Sequence, residues 1–440
     1  MNQETFQLLL CLPAQAASET EATIIQWHVS AGDRFEKGQL LAQAESAKSV
    51  FDFQAPCAGK VVRFRHLEGE TIPLDEPVLL VETADPAMKD WLPTSPAATE
   101  PAGQSLPAAA RTFGGEEESG AVVIRGIGAY LPSRVVTNAE LVRGFPEITE
   151  DYVHQVTGIR ERRWALESEK PSSMALAASQ EAIRKSGIAV TEIDAIIVAT
   201  TTPDMAMPST ACILQDRLNL TAAVAFDVNA ACSGWLYAVA LARSMVLAGM
   251  ARNVLTVGVE LQSRLLNQSD RNAYFLFGDG AGAAVIAAGS SGHRICRAVL
   301  SADPRGLQMA RRETPGYLVA GNGEKTDPWI RLEGHALFRL ATESLSDVIF
   351  RAIAESGWNP QDARWIIPHQ ANGRILKAVA KRSGLPFERF FLNVQRVGNT
   401  SSASIPLALT EAEAGFSIGD KLILCSVGAG MTTAAVSLEW

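Results

Sequence analysis

Two hydrophobic rhythms divide the chain. Over residues 1–84 short runs alternate apolar and polar positions: Thr5–Leu10, Ala22–Val29, Gln39–Ala44, Val50–Gln54, Lys60–Arg65 and Pro77–Glu82. A period of two broken by Ala31-Gly32-Asp33, Ala58-Gly59 and Glu68-Gly69-Glu70 predicts strands joined by tight turns, hence a small all-β domain. Residues 85–119 are rich in Ala, Pro and Gly and carry no apolar period, so they read as a linker. As a flexible coil it spans on the order of 30 Å. From Ala121 the rhythm changes to buried strands alternating with helices. Strands are expected at Ala121–Ile127, Ile193–Thr200, Val224–Val228, Asn253–Val259, Gly282–Ala287, Arg364–Pro368, Lys421–Val427 and Thr433–Leu438. Helices are expected at Pro171–Ser186, Pro208–Leu218, after Cys232, Glu333–Ser356, Gly373–Ser383 and Ser402–Ala414. Pro171 at the start and Gly187 at the end of one run are helix punctuation. The span Gly289–Asp327 is expected to be loop-rich. Alternating strands and helices predict an α/β fold over 120–440.

Composition narrows the class. At 440 residues, 47% apolar and 20% charged, the chain is a multidomain globular protein. A net charge of −9 argues against nucleic acid as a partner. No run reaches eighteen apolar residues and no secretory leader opens the chain, so no membrane partner and a cytoplasmic location are expected. The six cysteines form no C-x-x-C pair and give no zinc-ligand spacing. Gly278-x-Gly-x-Gly282 precedes a strand-like run rather than a helix, so a dinucleotide site is rejected.

Three stretches carry candidate chemistry. Cys232 stands in a small-residue break between the strand Val224–Val228 and an apolar helix. A thiol at a helix N-terminus is expected to be acidic, because the unpaired N–H groups favour the thiolate. His369 lies in Pro368-His369-Gln370-Ala371-Asn372 and Asn399 in Gly398-Asn399-Thr400-Ser401-Ser402-Ala403-Ser404. Each follows a buried run in a loop of small residues. These three, with Thr157-Gly158-Ile159-Arg160-Glu161-Arg162, Gly278-Asp279-Gly280-Ala281-Gly282 and Val427-Gly428-Ala429-Gly430, resemble the beta-ketoacyl-ACP synthase III family of the thiolase superfamily over residues 120–440.

That resemblance implies a duplicated thiolase-like fold with halves near 120–290 and 291–440, and a catalytic set Cys232, His369 and Asn399. It implies an acyltransferase that forms an acyl-Cys intermediate and condenses it decarboxylatively with malonyl-ACP. The oxyanion hole would be the backbone N–H groups of Cys232 and Ala429. Met207 would line the partner's acyl pocket in a homodimer. Arg339, Arg374 and Lys381 would dock the acidic acyl carrier protein. Thiolases place a second cysteine where this chain has Ser426, with Cys425 expected on the other face of the strand. Tyr152 occupies the family's adenine-stacking position, and Val156 stands where an arginine touches the CoA phosphates.

The N-terminal domain has its own resemblance. Gly32-Asp33, Gly38-Gln39-Leu40-Leu41, Glu45-x-x-Lys48 and Ala55-Pro56-x-x-Gly59 resemble a biotinyl/lipoyl carrier domain, which implies a prosthetic group in amide linkage on Lys48. Glu45 favours lipoate, and Ala47 and Ser49 replace the methionines that flank a biotinylated lysine. Two readings stay open. In one a lipoyl arm on Lys48 primes Cys232. In the other the domain is an unmodified interaction module, the primer is acyl-CoA or acyl-ACP, and acyl transfer to a hydroxyl or amine without decarboxylation is the alternative chemistry.

Overall fold

The computed structural model describes residues 5–13, 21–46, 50–73, 76–88, 121–314 and 327–440. The chain forms two compact units, Met1–Ala110 and Arg111–Trp440. Most of the expected linker 85–119, and Lys48, lie outside the described residues.

The N-terminal unit is two four-stranded sheets enclosing one apolar core. One sheet orders Phe6–Cys11, Pro77–Thr83, Gly59–Phe64 and Arg34–Phe35, the other Val50–Gln54, Leu40–Glu45, Glu21–Trp27 and Thr71–Pro73. Leu10, Ile24, Leu41, Ile72 and Val81 fill the space between them. The expected alternation is realised in Val50–Gln54, where Phe51 and Phe53 are buried and Val50, Asp52 and Gln54 exposed. Glu45 pairs with Val50 at the end of the antiparallel ladder between Leu40–Glu45 and Val50–Gln54.

The larger unit is built on a nine-stranded sheet. From one edge to the other it runs Val224–Val228, Ala195–Ala199, Asn253–Leu261, Asp279–Ala288, Val122–Tyr130, His293–Ala302, Thr432–Glu439, Lys421–Gly428 and Ala363–Pro368. Ala195–Ala199 is buried at every residue, as a parallel strand covered on both faces must be. Helix Gly234–Leu247 packs on one face with Trp235, Leu236 and Val239 in the core. Helix Pro171–Ser186 covers the other. It lies so close that a Cβ on Gly128 would meet Ala178 O at 2.3 Å and one on Gly126 would meet Ala182 O at 2.4 Å.

The duplication is visible in the sheet. Outward from Val122–Tyr130, the first half visits its own strands in the chain order first, fifth, fourth, second, third. Outward from His293–Ala302, the second half follows the same path without the outermost strand. The pairing senses match as well: parallel between Ala195–Ala199 and Asn253–Leu261, as between Ala363–Pro368 and Lys421–Gly428, and antiparallel inward of these.

Two expectations need correction. Gly289–Asp327 is not a loop over its whole length, because His293–Ala302 is a ten-residue strand that pairs with both Val122–Tyr130 and Thr432–Glu439 and so joins the halves. Its half-buried pattern, with Arg294 and Arg297 outward-lying, weakens the apolar signal. The sequence reading also passed over the helix Glu150–Thr157 and the hairpin Arg134–Thr137 with Glu161–Trp164. No helix among the described residues is long and apolar enough to cross a membrane.

Candidate active site

Strand Val224–Val228 ends in a single tight turn, Ala231–Ser233, and helix Gly234–Leu247 starts directly after it. Ala231 has φ 47°, a left-handed conformation that costs roughly 1–2 kcal/mol for a residue with a Cβ. The same local structure recurs in the second half. There the turn Ser401–Ala403 precedes helix Ser404–Ala412, and Ser401 has φ 48°. Asn229 Oδ1 accepts from Ala231 N at 3.2 Å, and Asn399 Oδ1 accepts from Ser401 N at 2.9 Å. The two turns are corresponding pieces of the duplicated halves. One puts Cys232 after its strained residue and the other puts Asn399 before it.

The turns meet. Cys232 Sγ donates to Ser401 Oγ at 3.5 Å, and Ser401 Oγ donates to Glu260 Oε1 at 3.2 Å. Gly428 approaches from the second half, where a Cβ would lie 2.9 Å from Cys232 N. Ser426 Oγ donates to Cys232 O at 2.9 Å, whereas Cys425 faces the apolar core on the other side of the strand. His369 N donates to Cys425 O at 2.7 Å. The next residue, Gln370, anchors the loop through Pro368 O and Phe391 O and through Asn393 N and Val394 N. Asn399 is held by its own backbone, N to Leu276 O at 2.8 Å and O from Gly278 N at 2.9 Å. Its Oδ1 is occupied by Ser401, so its amide nitrogen is the group left to donate to a ligand.

Cys232, His369, Asn399 and Ala429 border one cavity of about 1130 Å³. Tyr152, Val156 and Arg374 border it too. Met207 does not: it is 83% exposed. Arg339 and Lys381 are exposed on helices Gly334–Glu355 and Gly373–Ser383. On the second of these helices Arg374, Lys377 and Lys381 are all exposed and share a face at spacings of three and four. Lys48 lies outside the described residues. Among the described residues no group of His, Cys, Asp and Glu is arranged to hold a metal ion.

Electrostatics correct one expectation. Burial pushes the Cys232 thiol up to about 12, with the Glu260 carboxyl adding to the shift and the Ser401 hydrogen bond opposing it. The helix end is the weaker influence, since Ser233 rather than Cys232 is the residue at its N-cap and the dipole falls off within a turn. Burial likewise holds His369 down at about 3. At neutral pH the resting pair is therefore thiol and uncharged imidazole.

The sequence reading missed Glu260 and Ser401. Glu260 is 0% exposed and receives Thr201 N, Thr201 Oγ1, Thr202 Oγ1, Gln262 Nε2 and Ser401 Oγ. Burial raises its proton affinity. The available signal was a lone carboxyl inside the otherwise apolar strand Asn253–Leu261, a position where charge is rare unless partnered or functional. A resting thiol near 12 predicts that alkylation of Cys232 by iodoacetamide keeps accelerating from pH 7 to pH 10. A plateau reached below pH 8, read by peptide mapping, would contradict it.

Comparisons with known proteins place the chain among relatives. The model for the 3-oxoacyl-[acyl-carrier-protein (ACP)] synthase III family matches residues 226–304, and the model for its C-terminal part matches 353–440. A model described as biotin-requiring enzyme matches residues 10–81. The beta-ketoacyl-[acyl-carrier-protein] synthase III of Rhodobacter capsulatus is 42% identical over 325 residues, covering 72% of this chain and 98% of that protein. The enzyme of that name from Rhodospirillum centenum is 40% identical over 322 residues, with 72% and 98% covered. The crystal structure of the Thermus thermophilus synthase III aligns with TM-score 0.68 at 41% identity, covering 72% of this chain and 99% of that one.

Proposed function

The chain belongs to the beta-ketoacyl-[acyl-carrier-protein] synthase III family and is an acyltransferase, and on that premise we propose that Cys232, His369 and Asn399 perform its condensation. The observation that carries the assignment is the shared cavity of these three side chains.

In the first half-reaction Cys232 Sγ attacks the carbonyl of an acyl thioester. The thiol proton has a route by way of Ser401 to the buried carboxyl of Glu260. Backbone N–H groups of Cys232 and Ala429 receive the negative oxygen of the tetrahedral intermediate, and the departing thiolate takes a proton. In the second half-reaction the malonyl thioester loses CO2, and the electron pair of the broken bond moves onto its thioester oxygen. His369 and the Asn399 amide nitrogen donate to that oxygen. Nδ1 of His369 is buried without a partner among the described residues, so the neutral ring carries its hydrogen on Nε2 and can donate from there. The resulting carbanion attacks the acyl carbonyl on Cys232, and the Cys232 thiolate leaves and is reprotonated. Keeping His369 uncharged suits this role, because an imidazolium would quench the carbanion.

The exposed Arg374, Lys377 and Lys381, with Arg339, form a cationic face suited to an acidic acyl carrier protein on a chain that is otherwise net negative. A second copy of the chain is proposed to pair along the edge strand Val224–Val228, where Val224 is 52% exposed and Met207, 83% exposed, has no cover of its own.

The N-terminal unit is proposed to carry lipoate on Lys48. Supporting this are the sequence pattern around Lys48, which lies between the paired residues Glu45 and Val50, and Val156, which stands in place of the cation expected beside a CoA phosphate. Only in its reduced, dihydrolipoyl form would that group supply a thiol able to hold an acyl group as a thioester.

His369→Ala and Asn399→Ala are expected to leave acylation of Cys232 detectable by intact mass while lowering condensation about 100–1000-fold, the loss of one oxyanion donor. Condensation near the wild-type rate would remove the assignment. Co-expression with a lipoate ligase is expected to add one lipoyl group that Lys48→Arg abolishes, and no adduct would leave the interaction-module reading. Sedimentation of the same 47.1 kDa chain is expected to give twice that mass; a monomer at micromolar concentration refutes the edge pairing.

A further inference from the structure

The condensation chemistry leaves one wall of the Cys232 cavity unused, and that wall is polar. Thr201, Gln262 and Arg312 all border the cavity. Gln262 is 3% exposed, and its amide nitrogen donates to Thr201 Oγ1 and to Glu260 Oε2, each at 2.9 Å. Arg312 Nη2 donates to Thr201 O at 2.7 Å, and the rest of its guanidinium stands half-buried beside the same space.

Two carboxyls lie near, and both are spoken for. Glu260 is behind the wall with donors on each oxygen. Asp227 accepts from Thr210 N and Ala211 N, both at 2.8 Å, at the start of helix Thr210–Arg217. Among the described residues no carboxylate comes within 4.0 Å of an Arg312 nitrogen. A guanidinium does not give up its proton in a protein. Glu260 acts on Arg312 through space from behind the wall but makes no ion pair with it. The cavity therefore keeps a half-buried cation with no carboxylate in contact, which is unfavourable for a plain hydrocarbon chain and favourable for an anion able to take two parallel hydrogen bonds.

We propose that this wall selects acyl groups that bear a carboxylate on their chain, with Arg312 as the anion-binding residue and Gln262 and Thr201 setting its position. The inference rests on the reading of Cys232 as the acylated nucleophile. It adds the class of acyl group that the nucleophile receives; the transfer itself is unchanged, the acyl carbon leaving one sulfur for Cys232 Sγ.

Matched pairs of N-acetylcysteamine thioesters test it: succinyl against butyryl, and glutaryl against valeryl, each pair differing by a carboxyl in place of a methyl. Acylation of Cys232 in the full-length chain is followed by mass spectrometry of the Cys232 peptide. The wild-type protein is expected to load the carboxylated member at least about tenfold faster, the worth of one charge-assisted hydrogen bond. Arg312→Leu is expected to bring the ratio to one or below, and Arg312→Lys to retain part of it. Because the readout is a ratio within one sample, a partly unfolded variant does not disguise the result. A wild-type preference for the neutral member of both pairs, or an unchanged ratio in Arg312→Leu, overturns the carboxylate selection alone. No acylation of Cys232 by any of the four thioesters overturns the condensing-enzyme reading, and this inference with it.

Discussion

The site depends on how closely two turns from different halves can approach each other across the sheet. Cys232 and Ser401 touch only because the residues under and beside them have no side chains. A Cβ on Gly258 would sit 2.4 Å from Ser402 O, and one on Gly428 would meet Ala230 O at 2.8 Å as well as the Cys232 backbone. Substituents there would force the turns apart, and the hydrogen-bonded line from thiol through hydroxyl to carboxyl would open. Packing density, rather than any single attraction, brings the reacting groups into register.

Electrically the resting site is quiet. Its imidazole is uncharged, its thiol keeps its proton, and its nearest carboxyl is buried behind hydroxyls and amides. Polar groups whose surroundings are already arranged need little reorganisation when charge develops on a thioester oxygen. Cationic charge is placed elsewhere, on the outward face of helix Gly373–Ser383 and in the Arg312 wall, where it bears on which molecules enter rather than on how bonds break.

Much of this was legible in the order of residues, for reasons that can be named. His369 directly follows the buried end of strand Ala363–Pro368, and Cys232 stands a few residues past Val224–Val228, which proves to be a half-exposed edge strand rather than a buried one. Asn399 follows the short helix Val394–Val397 and no strand. The loops bearing Cys232 and His369 could then be placed after strands, and the duplication was expected from the family resemblance. What escaped was set by tertiary context. The strand His293–Ala302 alternates arginine with apolar residues and resembles a surface loop until its two neighbours are known. The protonation of Cys232 follows from how much protein surrounds it, which helix-end reasoning does not measure. Arg312 reads as one of a pair of surface arginines, and only the folded chain places it beside the thiol's cavity.

The repeated turn has a further consequence. Asn229 and Asn399 occupy corresponding places and brace corresponding backbones, both border the cavity, and Cys232 has Ser402 as its counterpart. Descent from a self-associating ancestor would give this pattern, with two identical loops once related by symmetry and later diverged, one holding Cys232 where the other holds Ser402. Such an origin ties the fates of the two loops: an insertion in either one would break a fit inherited from the other.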